Sequence, residues 1–472
     1  METISAEVCV LGGGPAGAAI AYRLACLGHD VVLIGDEGSH RRSRLESVSP
    51  GILPFLAQLD LETALERCAV PCEEPIIRWE TAEPFARSAP GPSGHLLDRI
   101  RFDACLLEVV RQAGVSVLSA RIGEVPKRLT QGAWRLQLDA EDGPQHLYAR
   151  FLIVATGRKP LLPQARKRIL PPLLALQARW QLSSPAPPRI SVEALRDGWV
   201  WGAPLPDGNY CAVAFMDPLP HSHQIFSSRE TSIGSRYQNF LSEATVFEDC
   251  LRGQQMSPVS ACDASAFLAE EVIGSDWMLV GDSSVALEPI SAQGVQVALK
   301  LGCQGAAVVH TLLSDASSAP IAESFYRDQC RRIAARHVKT TRQFYAGPER
   351  FREEPFWRSR AFNIQDSDPP LPPLSPDAIS PTTRVRLSPE AELRAIPCLI
   401  GDRICLQTAL EHPSLDSPLS HLGDVAVATL LLGTTQPQAA EELCRSWAQQ
   451  GVADQPLPLL YWFLQREILV SA

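Results

Sequence analysis

The 472-residue sequence predicts an α/β fold: a parallel-sheet domain interleaved with an α+β domain, then a small, mainly helical C-terminal domain. Three observations carry this. An apolar stretch, a glycine-rich turn, a helical pattern and a second apolar stretch follow one another within the first 35 residues. Apolar strands that end in small-residue turns recur at 151–157 and 277–282. Six prolines (Pro369, Pro370, Pro372, Pro373, Pro376, Pro381) then form an extended spacer before a last stretch with helical periodicity. The expected divisions are 1–365, with the inserted domain mainly at 53–98 and 160–265, a spacer over 366–381, and a C-terminal domain over 382–472.

Composition narrows the class. Apolar residues make up 45% and charged residues 20%, values of a globular protein. No run of eighteen apolar residues occurs, so no membrane span is expected, and residues 1–9 lack the basic entry of a secretory signal, which places the protein in the cytoplasm. A net charge of −10 opposes a broad grip on nucleic acid or anionic lipid. The thirteen cysteines are odd in number and scattered, which reads as reduced thiols and no metal site. Only five of the 43 basic residues are lysines, the first of them Lys127.

The elements follow in order. Glu7 to Leu11 is a strand, Gly12-Gly13-Gly14-Pro15-Ala16-Gly17 a turn, Ala18 to Leu27 a helix, and Val31 to Ile34 a second strand. Gly12, Gly14 and Gly17 would let the backbone approach a dinucleotide pyrophosphate whose charge rests on the helix opened by Pro15 and Ala16, the Rossmann arrangement. Gly35 stands where an acid usually meets the adenosine ribose. Asp36, one residue on, is the candidate, with a solvated surface acid as the other reading. The segment His95 to Asp103 precedes a helical stretch, and Phe151 to Gly157 is a strand ending in Ala155-Thr156-Gly157. Trp277 to Val280 ends in Gly281-Asp282 and continues through Glu288-Pro289 to Gln293-Gly294-Val295, which opens another helix. A carboxylate leaving a strand can bond ribityl hydroxyls, and a helix start can face the pyrimidine side of an isoalloxazine. No second glycine fingerprint follows, so no separate nicotinamide domain is expected.

With these motifs in this order, the chain resembles the FAD-dependent aromatic hydroxylases and the flavin-dependent halogenases over roughly residues 5–345. The resemblance implies FAD as cofactor, bound by Gly12, Gly14, Pro15, Ala16, Gly17 and Asp36, flanked by Arg99, Ala155, Thr156 and Gly157, and held at its ribityl and ring by Gly281, Asp282, Pro289, Gly294 and Val295. Arg99 also fits an ion pair with Asp103, and Thr156 a turn former. Arg44-Leu45-Glu46-Ser47 looks like the Glu-Ser segment that lines the flavin in halogenases, with Arg44 and Ser47 toward the cofactor. Trp199-Val200-Trp201-Gly202-Ala203-Pro204 resembles the halogenase Trp-x-Trp-x-Ile-Pro signature, with Ala203 in place of isoleucine. In the relatives Trp201 would help keep substrate away from the flavin; a strand with core tryptophans is the plainer reading.

Halogenases of this kind use a lysine shortly after the Glu-Ser segment to capture hypohalous acid. The matching stretch, Cys68 to Leu96, has Arg78 and Arg87 but no lysine, and a guanidinium that stays protonated is a poor substitute. Oxygen transfer from a flavin C4a-hydroperoxide in a dry pocket is therefore the leading expectation, with NAD(P)H as reductant. Val192-Glu193-Ala194, Phe344-Tyr345 and Pro355-Phe356-Trp357 with Arg360 resemble the flavoprotein monooxygenases of tryptophylquinone biogenesis, which act in maturation of quinohemoprotein amine dehydrogenase. That branch implies hydroxylation of a tryptophan in a polypeptide, with maturation-complex proteins as further partners; halogenation of a small aromatic substrate is the alternative. Glu46 and His95 are candidates for assisting the ring, beside Trp201. The aromatic, arginine-rich stretch 342–360 also reads as a helix packed on the body. In the C-terminal part, Ser388-Pro389-Glu390 reads as a helix start, with further helices at 422–432, 437–449 and 457–470, and no motif for chemistry. A role in gripping the substrate protein and a stabilising appendage both fit.

Overall fold

The computed structural model describes residues 3–35, 45–70, 73–81, 85–86, 94–130, 132–140, 143–185, 188–218, 233–361, 380–415, 417–423, 425–449, 451 and 456–472. The chain forms two units: 1–313 with 326–362, and 314–325 with 363–472. The second therefore takes in a short piece that the sequence assigned to the first. Most of the proline-rich spacer, 366–379, lies outside the described residues.

The apolar run Val8–Leu11 is buried on both faces, as a central parallel strand must be. Thr3–Leu11 pairs in parallel with Val31–Gly35 on one side and Gly143–Val154 on the other. Ser116–Ser119 and Trp277–Leu279 extend the parallel set outward, and Trp134–Ala140 adds an antiparallel strand. The register sets Leu11 opposite Ile34 and Val154, and Val154 opposite Leu279. Gly12, Gly35, Ala155 and Gly281 thus leave the sheet along one edge, where ligands bind in doubly wound folds. The helix Gly294–Ser314 is long and apolar enough to cross a membrane, but 61% of its most apolar window is buried inside the fold. It packs on the N-terminal helix Pro15–Cys26 so closely that a side chain at Gly302 would collide with Ala19 and the Ala16 carbonyl.

A second sheet runs in the order Gln254–Gln255, Leu174–Gln181, Tyr210–Met216, Gly198–Pro204, Arg189–Leu195, Glu73–Arg78, Phe85–Ala86. One face, with Leu176, Val200 and Ala212, packs under the helix Ile233–Leu241. The other face carries Trp199, Val213 and Phe215 against Trp79, Tyr345, Phe356 and Trp357. Trp199 stacks on Phe215 with ring centroids 3.9 Å apart. Tyr345, Phe356 and Trp357 of the aromatic, arginine-rich stretch are therefore core, while Phe344 is exposed. Trp357 is fully buried and its indole N–H donates to the carbonyls of Leu195 and Arg196, while Arg350 donates to the carbonyls of Trp79, Thr81 and Ala194. Trp357→Ala should lower unfolding stability by about 3–5 kcal/mol in denaturant titration, by leaving a cavity among four aromatic rings.

The second unit corrects the expectation of a mainly helical domain. Glu392–Ile400 and Arg403–Glu411 pair along their whole length as a hairpin closed by Gly401-Asp402, with Gly401 at φ 57°. Ser388-Pro389-Glu390 starts no helix: the Ser388 hydroxyl accepts from the Glu390 N–H across a turn that leads into the hairpin. Helices Val427–Leu430 and Ala440–Gln449 stand within the expected stretches, and Pro456–Gln465 starts one residue before its own. Val385, Leu410, Leu443, Trp447, Leu460, Phe463 and Ile468 form their shared core with the hairpin.

Candidate active site

The first component is a phosphate cradle at the sheet edge. Gly12 has φ 110°, which side chains rarely adopt, and a Cβ there would overlap the Ala155 carbonyl. A Cβ at Gly17 would overlap the Gly12 carbonyl, whereas one at Gly14 would meet nothing within 4 Å. The turn is packed shut on the Gly12 and Gly17 side and opens outward at Gly14. The helix Pro15–Cys26 starts there with proline at its first position and no acid in its first turn, so its amide ends and positive dipole face an anion unopposed. Asp36 and Arg44 lie outside the described residues. The Thr156 hydroxyl donates to the Lys159 carbonyl, so it forms the turn, the alternative weighed above.

A three-stranded sheet builds the second component. Leu45–Val48 pairs with His95–Asp98, which pairs with Ala69–Val70, placing Glu46 opposite Leu97, Ser47 opposite Leu96 and Val48 opposite His95. Asp98 caps the helix Arg99–Gln112, and Arg99 is held at its start. Its guanidinium forks onto Asp103 with two 3.0 Å bonds and donates to Glu46 Oε1 at 2.8 Å. Burial works against the Arg99 charge, but Glu46, Asp103 and more distant Asp282 hold its pKa above the ordinary value. Arg99 thus organises the carboxylates around the strand ends. Asp282 also faces Arg158 at 3.5 Å, and Arg158 in turn donates to the carbonyls of Ser265 and Leu287. The Ser49 hydroxyl donates to Gln296 Oε1 at 2.9 Å, which ties this sheet to the helix that begins at Gly294 and Val295. Half-buried His95 sits at the far end of its strand pairing from Arg99.

The third component joins that helix to the second sheet. Gly281-Asp282 leads through Pro289–Ser291 to Ala292, at φ 50°, and then Gly294, where a Cβ would again meet nothing within 4 Å. Ile290 packs against the Trp199 face. Half-buried Trp201 touches both that cluster and the one formed by Leu45, Leu96, Ala203 and Leu205. Trp201 therefore stands where the second sheet meets the Glu46–Ser47 strand.

Sequence reasoning gave Glu288, Arg158 and Tyr345 no role of their own, although Glu288 and Tyr345 lie in motifs it quoted. Glu288 is 1% exposed, and burial pushes its carboxyl up to about 7 against the opposing pull of Arg360, the Tyr345 hydroxyl and Arg158. The folded state then holds a proton that the unfolded chain releases. Unfolding free energy is therefore expected to fall by about 3 kcal/mol as pH rises from 4.5 to about 7, which denaturant titration across that range would measure. His337, which accepts the Glu288 N–H at 2.8 Å, is pushed down to about 4 by burial and stays neutral.

The tryptophan halogenase family matches residues 88–370, more than half of the chain. The chain belongs to this family. Among its relatives, LodB of Marinomonas mediterranea, provisionally described as an FAD-dependent oxidoreductase, is 25% identical over 75% of this chain and 97% of its own length. The tryptophan 2-halogenase of Chondromyces crocatus is 24% identical over 77% and 74%. Among solved structures, the peptidyl tryptophan dihydroxylase QhpG, essential for tryptophylquinone cofactor biogenesis, is 25% identical, covers 98% of this chain and 99% of its own, and superposes with a TM-score of 0.77. The flavin-dependent halogenase CmlS, 19% identical with coverage of 100% and 96%, shares the fold with the same TM-score. The α/β class and the halogenase and hydroxylase superfamily are as the motifs implied.

The residues of this halogenase-family member fit FAD. The cradle at Gly14 and the turn at Gly294 both open outward, Asp282 leaves the strand between them, and the Ser47 hydroxyl is buried without a hydrogen-bond partner among the described residues. The helix start at Pro15 would hold the pyrophosphate, Asp282 the ribityl chain, and Pro289, Gly294 and Val295 the ring.

Proposed function

We propose that this chain is an FAD-dependent monooxygenase that hydroxylates a tryptophan side chain of a polypeptide in tryptophylquinone biogenesis, using NAD(P)H as reductant. The observation that carries the reading is the absence of any lysine before Lys127 in a family whose halogenating members use one in that stretch. Arg78 does not replace it, because it donates to fully buried Glu193 and to Thr245. Arg87 lies outside the described residues. Likeness to QhpG along nearly the whole of both chains supports the same conclusion.

Bound reduced FAD supplies activated oxygen. The chain's own part is to hold the cofactor and exclude water. Arg99 and its carboxylates fix the strand ends, and the apolar wall of Leu45, Leu96 and Trp201 keeps the reacting ring dry. An indole is electron-rich and attacks without a strong base, so Glu46, already steadied by Arg99, and His95 serve only to accept the ring proton. The second unit, which holds no group of metal-binding side chains among its described residues, grips the substrate polypeptide. The protein works in the cytoplasm.

The test incubates FAD-loaded protein with reduced nicotinamide nucleotide, oxygen and a tryptophan-bearing precursor polypeptide. Mass spectrometry should find an oxygen-sized gain on one tryptophan. Modification of free indoles alone, with the polypeptide untouched, would overturn the reading.

A further inference from the structure

Glu288 lies between Asp282 and the start of Gly294–Ser314, in the segment expected to border the flavin. Its main chain is pinned: the N–H donates to His337 Nε2 at 2.8 Å, and the carbonyl accepts from the Ser291 hydroxyl at 3.4 Å. Neither carboxyl oxygen makes a hydrogen bond of ordinary geometry, although the Tyr345 hydroxyl stands beside them. The groups facing it are Tyr345 and His337 from the helix Ala319–Ala346, Arg360 from beyond Pro355–Arg358, and Arg158 from the turn after Gly143–Val154. Both arginines spend most of their donors elsewhere, although Arg360 Nε is buried without a hydrogen-bond partner among the described residues. Arg360 donates to Asp217 and to the carbonyls of Pro172 and Phe356, and Arg158 to the carbonyls of Ser265 and Leu287. The Tyr345 hydroxyl accepts from the Trp199 indole N–H at 3.4 Å. Trp199 of the Trp-x-Trp strand is thus bonded to Tyr345, whose hydroxyl stands beside the buried, unpartnered carboxyl of Glu288 on the turn before Gly294.

A hydroxyl with an anion on one side donates to it and turns its lone pairs the other way. When Glu288 is ionised, Tyr345 donates toward it and receives the Trp199 N–H; when Glu288 is neutral that polarity is lost. We propose that Glu288 is a positioning residue whose charge, relayed by Tyr345, sets how firmly Trp199, and with it the strand of Trp201, is held to the turn before Gly294. Its consequence for turnover rests on the function proposed above. Desolvation, opposed by Arg360 and Tyr345, puts the transition at about 7, and a buried carboxyl left without a good partner is the kind of group that serves a site.

The test is NMR of the FAD-loaded protein with 15N-labelled tryptophan, nine indole N–H resonances in all, with Trp199→Phe identifying the one of interest. The Trp199 resonance should titrate with a midpoint near 7, become independent of pH in Glu288→Gln, and lose the titration in Tyr345→Phe while the other resonances stay in place. The pH profile of turnover should lose its break near 7 in Glu288→Gln. A Trp199 resonance that ignores pH in the unsubstituted protein, or one that still titrates in either variant that keeps the other resonances, would overturn the proposal. Because the titration needs no substrate, its presence without tryptophan hydroxylation would instead count against the proposed function.

Discussion

Replacing Arg99 by alanine should destabilise the first unit by about 3–5 kcal/mol, because Glu46 and Asp103, both largely buried, each lose the guanidinium that pairs with them. The deficit should shrink on acidification, since protonation neutralises these carboxylates. Urea unfolding at neutral pH and near pH 4 measures both effects. Arg99→Lys should recover part of the charge but not the fork onto Asp103, so it should fall between the two. A loss independent of pH would mean that packing, and not charge, is what Arg99 supplies.

Gly17→Ala should lower FAD retention more than tenfold and cost about 1–3 kcal/mol of stability, because the added methyl overlaps the Gly12 carbonyl and forces the turn open. Gly14→Ala provides the contrast. Its methyl meets nothing in the protein, so stability should change by about 1 kcal/mol or less, while bound FAD still falls because the backbone can no longer approach a pyrophosphate. Flavin absorbance per protein, together with unfolding midpoints, separates the two. Equal FAD retention in Gly14→Ala and the unsubstituted protein would move the cofactor away from this turn.

The sheet and the cradle were legible because their signals are local. Val8–Leu11 and Val31–Ile34 are apolar on both faces, which marks buried parallel strands, and the glycines between them have few other uses. The Arg99–Asp103 pair was legible too, being four residues apart on a helix. Glu46, which completes it, is 53 residues from Arg99, and only the pairing of Leu45–Val48 with His95–Asp98 brings them together. The Trp199 strand could be read as a strand, but not that its two faces would divide between the Tyr237 helix and the Trp357 cluster. The C-terminal hairpin was missed because both strands carry apolar residues on both faces and Pro397 sits within one of them; Gly401-Asp402 was the signal that remained. Glu288 looked like an ordinary acid before a proline. Tyr345, 57 residues further on, is what makes its burial matter, and no sequence pattern announces that contact.

The most direct measurement uses FAD-loaded protein, reduced nicotinamide nucleotide, 18O2 and the precursor polypeptide, run with and without excess bromide, and reads the mass of the modified tryptophan. The account requires heavy oxygen on that residue in equal yield whether or not bromide is present. Bromine on the ring, or oxygen that carries no label, would contradict it.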